Sequence, residues 1–474
     1  MHDDGYAIRV RCVDLSRKTQ LFLVGVHRMR EVYRREFAMP GTHSMIRISQ
    51  LTDDALLDQL QRAAFGYFLQ AVNPLNGLVT DTSRDNSPVS IAVVGFALSS
   101  YPAAVERGWM ERADAVRLSL AALRFFRDSD QSGSPTATGH QGFYYHFLDI
   151  ATGARVWQSE LSLIDSALLI AGALTAAMYF TADTADEIEL RSQADLLYRR
   201  MDWCWAQNGG TTISHGWKPA SGFLNYGWEG YSEAILMYVL AMGSPTHPIP
   251  GDCYKDWTAT YQWENLYGTD FLYAGPLFVH QFSHAWIDFR GIQDRFMREK
   301  RCDYFENSRR ATEVQREYAK RNPHRFTGYG ENCWGLTACD GPSHPLPKLA
   351  NERRRLFGYA ARGVPYGPDD GSLGGWAALA SLPFAPDLAL STVRNMLQRY
   401  PEMLPDQQYA SSFNPSLASA DHGAWVSAGH FGLDQGIVVM MIENHRSQLI
   451  WRLMRDCPYV RTGLRCAGFR GGWL

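Results

Sequence analysis

The chain has 474 residues, of which 46% are hydrophobic and 20% charged, and its formal net charge is −3. Such a chain can bury a substantial core, so extended disorder is not expected. The weak negative charge argues against nucleic acid or an anionic membrane surface as a partner, because both attract a basic face. Aromatic residues reach 13%, with 14 Trp and 23 Tyr, and this surplus of amphipathic rings suits a carbohydrate cleft.

Residues 1–48 are Arg-rich and weakly patterned, and we interpret them as an N-terminal extension to a main domain over 49–474. Their apolar run, Leu21–Val26, is too short for a signal peptide and lacks a small-residue cleavage site. No apolar run of about eighteen residues occurs, which predicts no membrane span. Eight cysteines without a CxxC pair predict buried thiols and leave the redox compartment open.

Helical spacing of apolar residues dominates the chain from Asp53 onward, with Thr52 as a start signal. Convincing strands are few, and long loops rich in Gly, Pro, Asp and aromatics separate the helices. The pattern favours an all-α fold, an α/α barrel (toroid) with long loops forming a cleft, although a general multi-helix domain explains it almost as well. Further helices are predicted near 88–105, 110–128, 159–180, 184–206, 229–242, 271–287, 294–320, 372–382, 386–400 and 434–455.

Two carboxylates mark the segment Ser159–Leu169 (SELSLIDSALL). Glu160 is predicted at the start of a very apolar helix, and Asp165 just over one turn in. An acid inside such a helix costs free energy unless it is hydrogen-bonded or used in chemistry. The alternatives are a helix-start residue favoured by the macrodipole for Glu160 and a hydrogen-bonded core acid for Asp165.

A second acidic pair, Glu229 and Glu233, lies four residues apart in Tyr226–Tyr238 and would share one face of a helix. Two like charges there destabilise a helix unless something separates or uses them. One of them, next to Trp228 and Tyr231, could have the raised pKa that a general acid needs. The alternative is a solvated helix start.

His280 and His284 form an i, i+4 pair that could bind zinc. No HExxH glutamate lies between them and no third ligand is evident, so the sequence predicts no metal site. Structural or substrate hydrogen bonding is favoured instead. Asp288 and Arg290, a few residues on, are predicted to form an ion pair.

The loop Gly328–Pro342 combines two carboxylates, Glu331 and Asp340, with Trp334 and four glycines. A pyranose has one apolar face and a rim of hydroxyls, so this mixture is suited to holding a sugar. Glycines in the loop allow unusual backbone angles and close approach.

Asp434 precedes the apolar run Ile437–Ile442, where a helix is predicted to start. It can be a helix cap or a carboxylate at a cleft mouth that activates water, and the sequence supports both equally. Glu443, nine residues on, is predicted to be structural. Rossmann spacing, a Walker A loop, a GxSxG elbow and a Cys–His signature were sought and not found, which leaves carboxylate chemistry.

Several segments together resemble the bacterial glucoamylase-like (glycoamylase) domain family, which includes the endo-β-1,2-glucanases of glycoside hydrolase family 144. The resemblance covers roughly residues 50–470, in order, and is more specific for the family than for the substrate. The matching segments are Ser90–Leu98, Gly142–Asp149, Ser159–Leu169, Leu240–Pro248, Pro276–Ile292, Asp303–Ala311, Gly328–Pro342 and Leu433–Asn444.

The resemblance implies an (α/α)6 barrel that hydrolyses a β-glucan with inversion, and it favours a β-1,2-linked glucan. One carboxylic acid then protonates the leaving oxygen while a carboxylate activates water on the opposite face. By motif, Glu233 is the first choice for general acid, Glu160 and Asp165 line the cleft, and Asp434 is a candidate base. Substrate contacts are implied for Tyr144, His146, Trp228, Glu229, His280, Arg290, Glu331, Trp334 and Asp340.

No cofactor is implied, and a monomer is expected. Relatives are commonly periplasmic, so a periplasmic or extracellular location is expected, while the absence of a visible signal leaves the cytoplasm open. Two other functions remain as alternatives, a β-1,2-glucan transglycosylase and a non-catalytic glycan-binding protein.

Two loops depart from the family pattern. Where relatives read like DAFN, this chain has Ser411–Asn414 (SSFN), and where they often read like DGT followed by proline, it has Asp370–Gly375 (DGSLGG). The first change removes a carboxylate from a possible cleft loop. Subsite preference, and the identity of the residue that activates water, depend on what replaces it.

Overall fold

The computed structural model describes Glu31 and residues 51–342, 355–418 and 423–474. Apart from Glu31, the predicted extension over 1–48 lies outside these residues, as does the predicted domain boundary at 49. About half of the described residues are helical, and the strands are short. Among the described residues, no helix has both the length and the apolar character needed to cross a bilayer.

Sixteen α-helices are described. In chain order they are α1 (Asp53–Ala71), α2 (Ile91–Glu106), α3 (Arg112–Asp128), α4 (Leu163–Tyr179), α5 (Ala185–Arg200), α6 (Trp203–Ala206), α7 (Ile235–Gly243), α8 (Asp252–Thr258), α9 (Phe282–Trp286), α10 (Arg295–Lys300), α11 (Tyr304–Arg321), α12 (Gly375–Ala380), α13 (Pro386–Arg399), α14 (Gly432–Arg446), α15 (Leu449–Asp456) and α16 (Pro458–Cys466). Short 3₁₀ turns cover Leu277–His280, Pro401–Met403, Pro405–Gln407 and Pro415–Leu417.

The described strands are β1 (Val89–Ser90), β2 (Gly139–His140), β3 (Phe143–Tyr145), β4 (Phe147–Leu148), β5 (Leu161–Ser162), β6 (Gly216–Lys218), β7 (Gly222–Phe223), β8 (Trp263–Leu266), β9 (Thr269–Leu272), β10 (Ala338–Cys339), β11 (Ala360–Ala361), β12 (Phe413–Asn414) and β13 (Trp425–Val426). They form one five-stranded sheet, in the order β2-β3-β5-β6-β7, and four antiparallel pairs, β1-β4, β8-β9, β10-β11 and β12-β13. All of these pairings are antiparallel and lie in the loop regions between helices.

The long helices of the N-terminal half match their predictions closely. Helix α1 begins at Asp53, and the Thr52 hydroxyl accepts a hydrogen bond from the Ala55 N–H, as a cap does. The helix predicted over 159–180 starts only at Leu163, because residues 161–162 pair as strand β5 with β3 and β6. Ser162 then caps α4 by accepting from the Asp165 N–H.

Two predictions for the middle of the chain were wrong. The helix predicted over 229–242 starts at Ile235, so Glu229 and Glu233 lie in loop and do not share a helical face. Most of the segment 271–287 is strand β9, a 3₁₀ turn and the short helix α9. Hydrophobicity alone predicted helices there because short apolar runs do not distinguish a strand from a helix.

The centre of the molecule is built from helices that are apolar on nearly every side. Helices α2 and α4 pack closest, and a Cβ added to Gly95 or Gly172 would come within 2.3 Å or 2.1 Å of the partner's backbone. Helix α14 packs on α1 and α2, and α7 packs on α16. One continuous core cluster contains residues from Leu56 to Phe469, which matches the predicted all-round burial of α4.

Acidic residues occupy equivalent places on these inner helices, at or just before their first turn. Asp165 lies in the first turn of α4 and Asp434 in that of α14, while Glu233 lies two residues before α7. Asp81 precedes β1 and α2, and its carbonyl accepts a 2.8 Å hydrogen bond from Gly432 N–H at the start of α14. Helix N-termini carry partial positive charge, so each position favours an anion.

Candidate active site

His146, at the end of β3, lies between two carboxylates. Its Nδ1 is 2.9 Å from Glu160 Oε1, and its Nε2 is 3.5 Å from Asp165 Oδ2. Antiparallel pairing sets this arrangement, since the His146 N–H donates to the Glu160 carbonyl at 2.9 Å. Glu160 is therefore a loop residue that packs against His146 rather than a helix-start residue as predicted.

Asp165 is held from three sides. The Ser162 hydroxyl donates to Asp165 Oδ2 at 2.5 Å, and the Asp165 N–H donates back to the same hydroxyl at 3.2 Å. His146 supplies the third contact. The acid predicted in an apolar helix is thus hydrogen-bonded, and it lies next to other ionisable groups rather than alone in the core.

Glu233 is the carboxyl whose environment best fits a general acid. Burial, together with the negative charge of Asp165, raises its pKa to about 7. The Glu233 carbonyl accepts a 2.7 Å hydrogen bond from Ser283, which anchors the loop before α7. The predicted raised pKa is therefore found at Glu233, although its cause is burial beside Asp165 and not repulsion by Glu229.

Asp434 does not cap α14, because Phe431 is the N-cap residue and Asp434 lies inside the first turn. Its side chain is buried, and Oδ2 has no hydrogen-bond partner among the described residues. Burial raises its pKa well above the usual value, assisted by Asp81 and Asp340, while a hydrogen bond with Ser411 lowers it. A carboxyl whose pKa is raised in this way holds its proton more tightly than a free aspartate, which weighs against the predicted role of general base.

Sequence analysis missed Asp81, which lies in the loop before β1. Burial raises its pKa to about 6, Asp165 adds to the shift, and His146 and Arg84 oppose it. The same carboxyl raises the pKa of Asp434. The signal in the sequence was the polar run TDTSRDN directly before a matching family segment, at the start of an inner helix.

These interactions link five carboxyl groups and one imidazole into a single group, which we call the acidic centre: Asp81, Glu160, Asp165, Glu233, Asp434 and His146. Asp340 adjoins it through Asp434, and its carboxylate pairs with Arg84. The carboxylates predicted from distant segments therefore meet at one place. Within the described ranges, no group of three or more His, Cys, Asp or Glu side chains is arranged to bind a metal ion.

Aromatic rings lie directly beside the acidic centre. Phe147 stacks on His146 with the ring centroids 3.9 Å apart and 12° between the planes, and Trp157 lies 5.1 Å from Phe147. Trp157 is 69% exposed and has a left-handed backbone with φ 54°, which is unusual for a bulky residue. On the other side, Tyr359 stacks over Phe431 at 6.3 Å.

Two cavities of the described structure lie away from this centre. One of about 770 Å³ borders α3, and one of about 580 Å³ borders α8 and α10. A cavity of about 340 Å³ adjoins the acidic centre and is lined by Arg84, Asp340 and Trp425, among others. We place the site by the chemistry of its residues rather than by cavity size.

Three residues predicted to contact substrate are core residues instead. Tyr144, His280 and Trp334 are at most 1% exposed. The His280 ring nitrogens lie 3.2 Å from the Tyr231 hydroxyl and 3.1 Å from a backbone carbonyl, and burial lowers its pKa to about 4. A substrate finds no surface on these side chains, so the prediction is corrected to a structural role.

Three other predicted contacts have partners elsewhere. Arg290 forms the predicted ion pair with Asp288, at 2.8 Å, and lies over the Trp451 ring. Glu331 pairs with Arg316. Trp228 stacks on His215 with ring centroids 4.2 Å apart, and the neighbouring Glu229 is exposed. Seven cysteines are described, all free; five are buried, as predicted, and two, Cys204 and Cys466, are exposed, contrary to the prediction.

Comparison with known proteins gives consistent matches. A sequence model of the Glycoamylase family, described as "Putative glucoamylase", matches residues 225–458. A crystal structure of a "putative glucoamylase" from Bacteroides fragilis is 30% identical, with 89% of this chain and 98% of that one covered, at a TM-score of 0.77. The endo-β-1,2-glucanase from Chitinophaga pinensis, solved with sophorotriose and glucose, is 26% identical, with 90% and 100% covered, at a TM-score of 0.76.

A curated relative also matches. The exo β-1,2-glucooligosaccharide sophorohydrolase (non-reducing end) of Parabacteroides distasonis is 27% identical over 454 aligned positions, and the match covers 88% of this chain. The chain spans only 58% of that protein's length.

Proposed function

Because the chain belongs to the glycoamylase family, we propose that it is a glycoside hydrolase that cleaves β-1,2-linked glucan. The observation that carries this proposal is Glu233, a carboxyl with a pKa of about 7 next to the ionisable side chain of Asp165. A glycosidase needs one carboxylic acid that keeps its proton near neutral pH and one carboxylate that does not. Similarity to proteins named for β-1,2-glucan supports the substrate.

In this proposal Glu233 protonates the glycosidic oxygen as the bond to the anomeric carbon breaks. Inversion then requires a carboxylate that deprotonates a water on the opposite face of the sugar. We assign that role to Asp81, because its pKa of about 6 leaves it ionised yet basic at neutral pH. Asp434, the base suggested by the resemblance, is buried, and burial raises its pKa well above the usual value.

The remaining features of the proposal follow from the family. We propose an (α/α)6 barrel whose inner helices include α2, α4, α7 and α14, since these are the most buried and carry the acidic centre at their starts. We also propose a monomer and a periplasmic or extracellular location. Light scattering after gel filtration and fractionation of the source cells would test these two points.

The test of the function is a substrate screen followed by one conservative substitution. Linear β-1,2-glucan should yield short oligosaccharides, whose lengths also distinguish endo from exo cleavage, while products longer than the substrate would indicate transglycosylation. Glu233→Gln should lower kcat by about 10²- to 10⁴-fold and leave glucan binding intact by calorimetry. Binding without turnover in the unsubstituted protein, or no product from any β-glucan, would reject a hydrolase.

A further inference from the structure

Both ring nitrogens of His146 face a carboxylate. Nδ1 lies 2.9 Å from Glu160 Oε1, and Nε2 lies 3.5 Å from Asp165 Oδ2. A carboxylate can only accept hydrogen bonds, and a neutral imidazole has a single N–H to donate. A neutral ring would therefore set a lone pair against one of the two anions. The geometry matches a doubly protonated ring.

We propose that His146 is a positioning residue, a lasting imidazolium that holds the Asp165 carboxylate in place, so that its negative charge favours the proton on Glu233. The inference rests on the proposed function, in which Glu233 is the general acid. Two carboxyls that interact strongly titrate as a pair, and the one with the better partner for its anion loses its proton first. His146 is such a partner for Asp165, while burial and the negative charge of Asp165 raise the pKa of Glu233 to about 7 against a hydrogen bond from its own backbone N–H.

Charges from every neighbouring element are consistent with an imidazolium. Asp165 faces the ring from α4, Glu160 from the loop before β5, and Asp81 from the loop before β1. Burial disfavours the charged ring, but these three carboxyls outweigh it and raise the pKa of His146 to about 9. The nearby cations act on other members of the acidic centre: Arg84 lowers the pKa of Asp81, and Lys218 lowers the pKa of Glu160.

The ring is also fixed in place. Phe147 stacks on one face, with 3.9 Å between ring centroids. The His146 N–H donates to the Glu160 carbonyl at 2.9 Å, and its own carbonyl accepts from the Ile91 N–H at 3.3 Å, at the start of α2. The charge is therefore held at one position between two segments, as electrostatic preorganisation requires.

The first experiment compares pH–rate profiles of kcat for His146→Gln and His146→Lys with the unsubstituted enzyme. Glutamine removes the charge that holds the Asp165 carboxylate beside Glu233, so Glu233 loses part of the effect of its like-charged neighbour and its pKa falls. The alkaline limb should move to lower pH by about one unit. Lysine returns a positive charge, so its limb should move back toward that of the unsubstituted enzyme even if kcat stays low.

The matched control is His247→Gln, which removes a surface histidine whose Nδ1 lies 3.9 Å from Asp202. It should leave the limb in place. An alkaline limb that does not move in His146→Gln, or that moves equally in His146→Lys, overturns the inference. That result would leave the proposed hydrolase intact, because the unsubstituted enzyme still turns over. An unsubstituted protein without activity would instead reject the function.

A second measurement does not depend on activity. Side-chain NMR of the unsubstituted protein should show one imidazole that stays protonated through neutral pH and titrates near 9, and its signal should be missing from His146→Gln or His146→Lys. A His146 that titrates below 7 overturns the inference, even if the glutamine variant fails to fold.

Discussion

Ser411 and Asp340 are joined by a hydrogen bond of 3.2 Å, in which the Asp340 N–H donates to the Ser411 hydroxyl oxygen. Ser411 also shares a hydrogen bond with Asp434. Next to it, the Ser412 hydroxyl donates to the Asp340 carbonyl at 2.6 Å. Where the family motif begins with a carboxylate, this chain thus uses two hydroxyls to fasten the Asp340 loop beside the acidic centre.

We expect Ser411→Ala and Ser412→Ala each to lower the free energy of unfolding by about 1 kcal/mol, because each removes a buried hydrogen bond. The loss of unfolding free energy in the double variant should differ from the sum of the two single losses, since both hydroxyls hold Asp340. Urea unfolding of the four proteins measures this. If the two single losses add up to that of the double variant, the two serines act independently and do not stabilise the Asp340 loop together.

The pH dependence of hydrolysis should be bell-shaped. The base must be deprotonated, so kcat/KM should rise with pH through about 6, the pKa of Asp81. The acid must be protonated, so the rate should fall through about 7, the pKa of Glu233. The optimum then lies between the two, and initial rates in overlapping buffers would show it.

The assignment of Asp81 predicts a further effect on that profile. Asp81→Asn should remove the acid limb and lower kcat by about 10²-fold or more, because the base is lost. Asp85→Asn is the matched control, since Asp85 is an exposed carboxylate in the same loop. If Asp81→Asn keeps the acid limb, another carboxylate activates the water.

Trp157 is expected to bind a glucosyl ring. It is 69% exposed, lies 5.1 Å from Phe147 and is held in a left-handed backbone conformation, a kind of strain that often persists at binding sites. Trp157→Ala should raise KM for β-1,2-glucan by about tenfold, the loss of one aromatic–sugar stack of about 1.4 kcal/mol. Tyr366→Ala, which removes an equally exposed ring packed on Tyr273, should leave KM unchanged.

Much of the helical framework could be predicted from the sequence because periodicity and caps are local signals. Helices α1, α3 and α13 agree with their predictions to within two residues. The positions of Glu160 and Glu233 relative to helices could not be predicted, since strand β5 forms only through its pairing with distant segments. Local propensity carries no information about such partners.

The residues of the candidate site divide in the same way, into those with a local signal in the sequence and those without one. Asp165 was predicted as a site residue because a carboxylate in an apolar helix is unusual, and Glu233 was predicted from the motif that resembles the family. Asp81 was missed because it lies in a polar loop. Only the fold shows that the Gly432 N–H, at the start of α14, donates a hydrogen bond to the Asp81 backbone carbonyl. Tyr144 and Trp334 were misassigned because an aromatic residue in a motif serves a core as readily as a cleft.

The ion pair between Arg362 and Asp370 supports the loop between β11 and α12. Both side chains are completely buried, Arg362 Nε lies 2.8 Å from Asp370 Oδ1, and the same guanidinium donates to the carbonyls of Cys339 and Phe357. Burial alone would raise the pKa of Asp370, but the hydrogen bonds from Arg362 outweigh it and hold the pKa below its usual value.

Arg362→Met should therefore destabilise the fold by about 3–5 kcal/mol at neutral pH, because a buried carboxylate loses its partner. Since the folded-state pKa of Asp370 is lowered, its stabilising effect is present above the pKa of the unfolded chain and is lost as pH falls through the folded value. The difference in free energy of unfolding between the unsubstituted protein and Arg362→Met should therefore shrink as the pH falls and Asp370 becomes protonated. Arg295→Met, which removes an exposed pair with Glu299, should change stability by less than about 0.5 kcal/mol at any pH. A loss for Arg362→Met that stays constant from pH 7 down to about 3 would show that the arginine stabilises the loop through its carbonyl contacts rather than through Asp370.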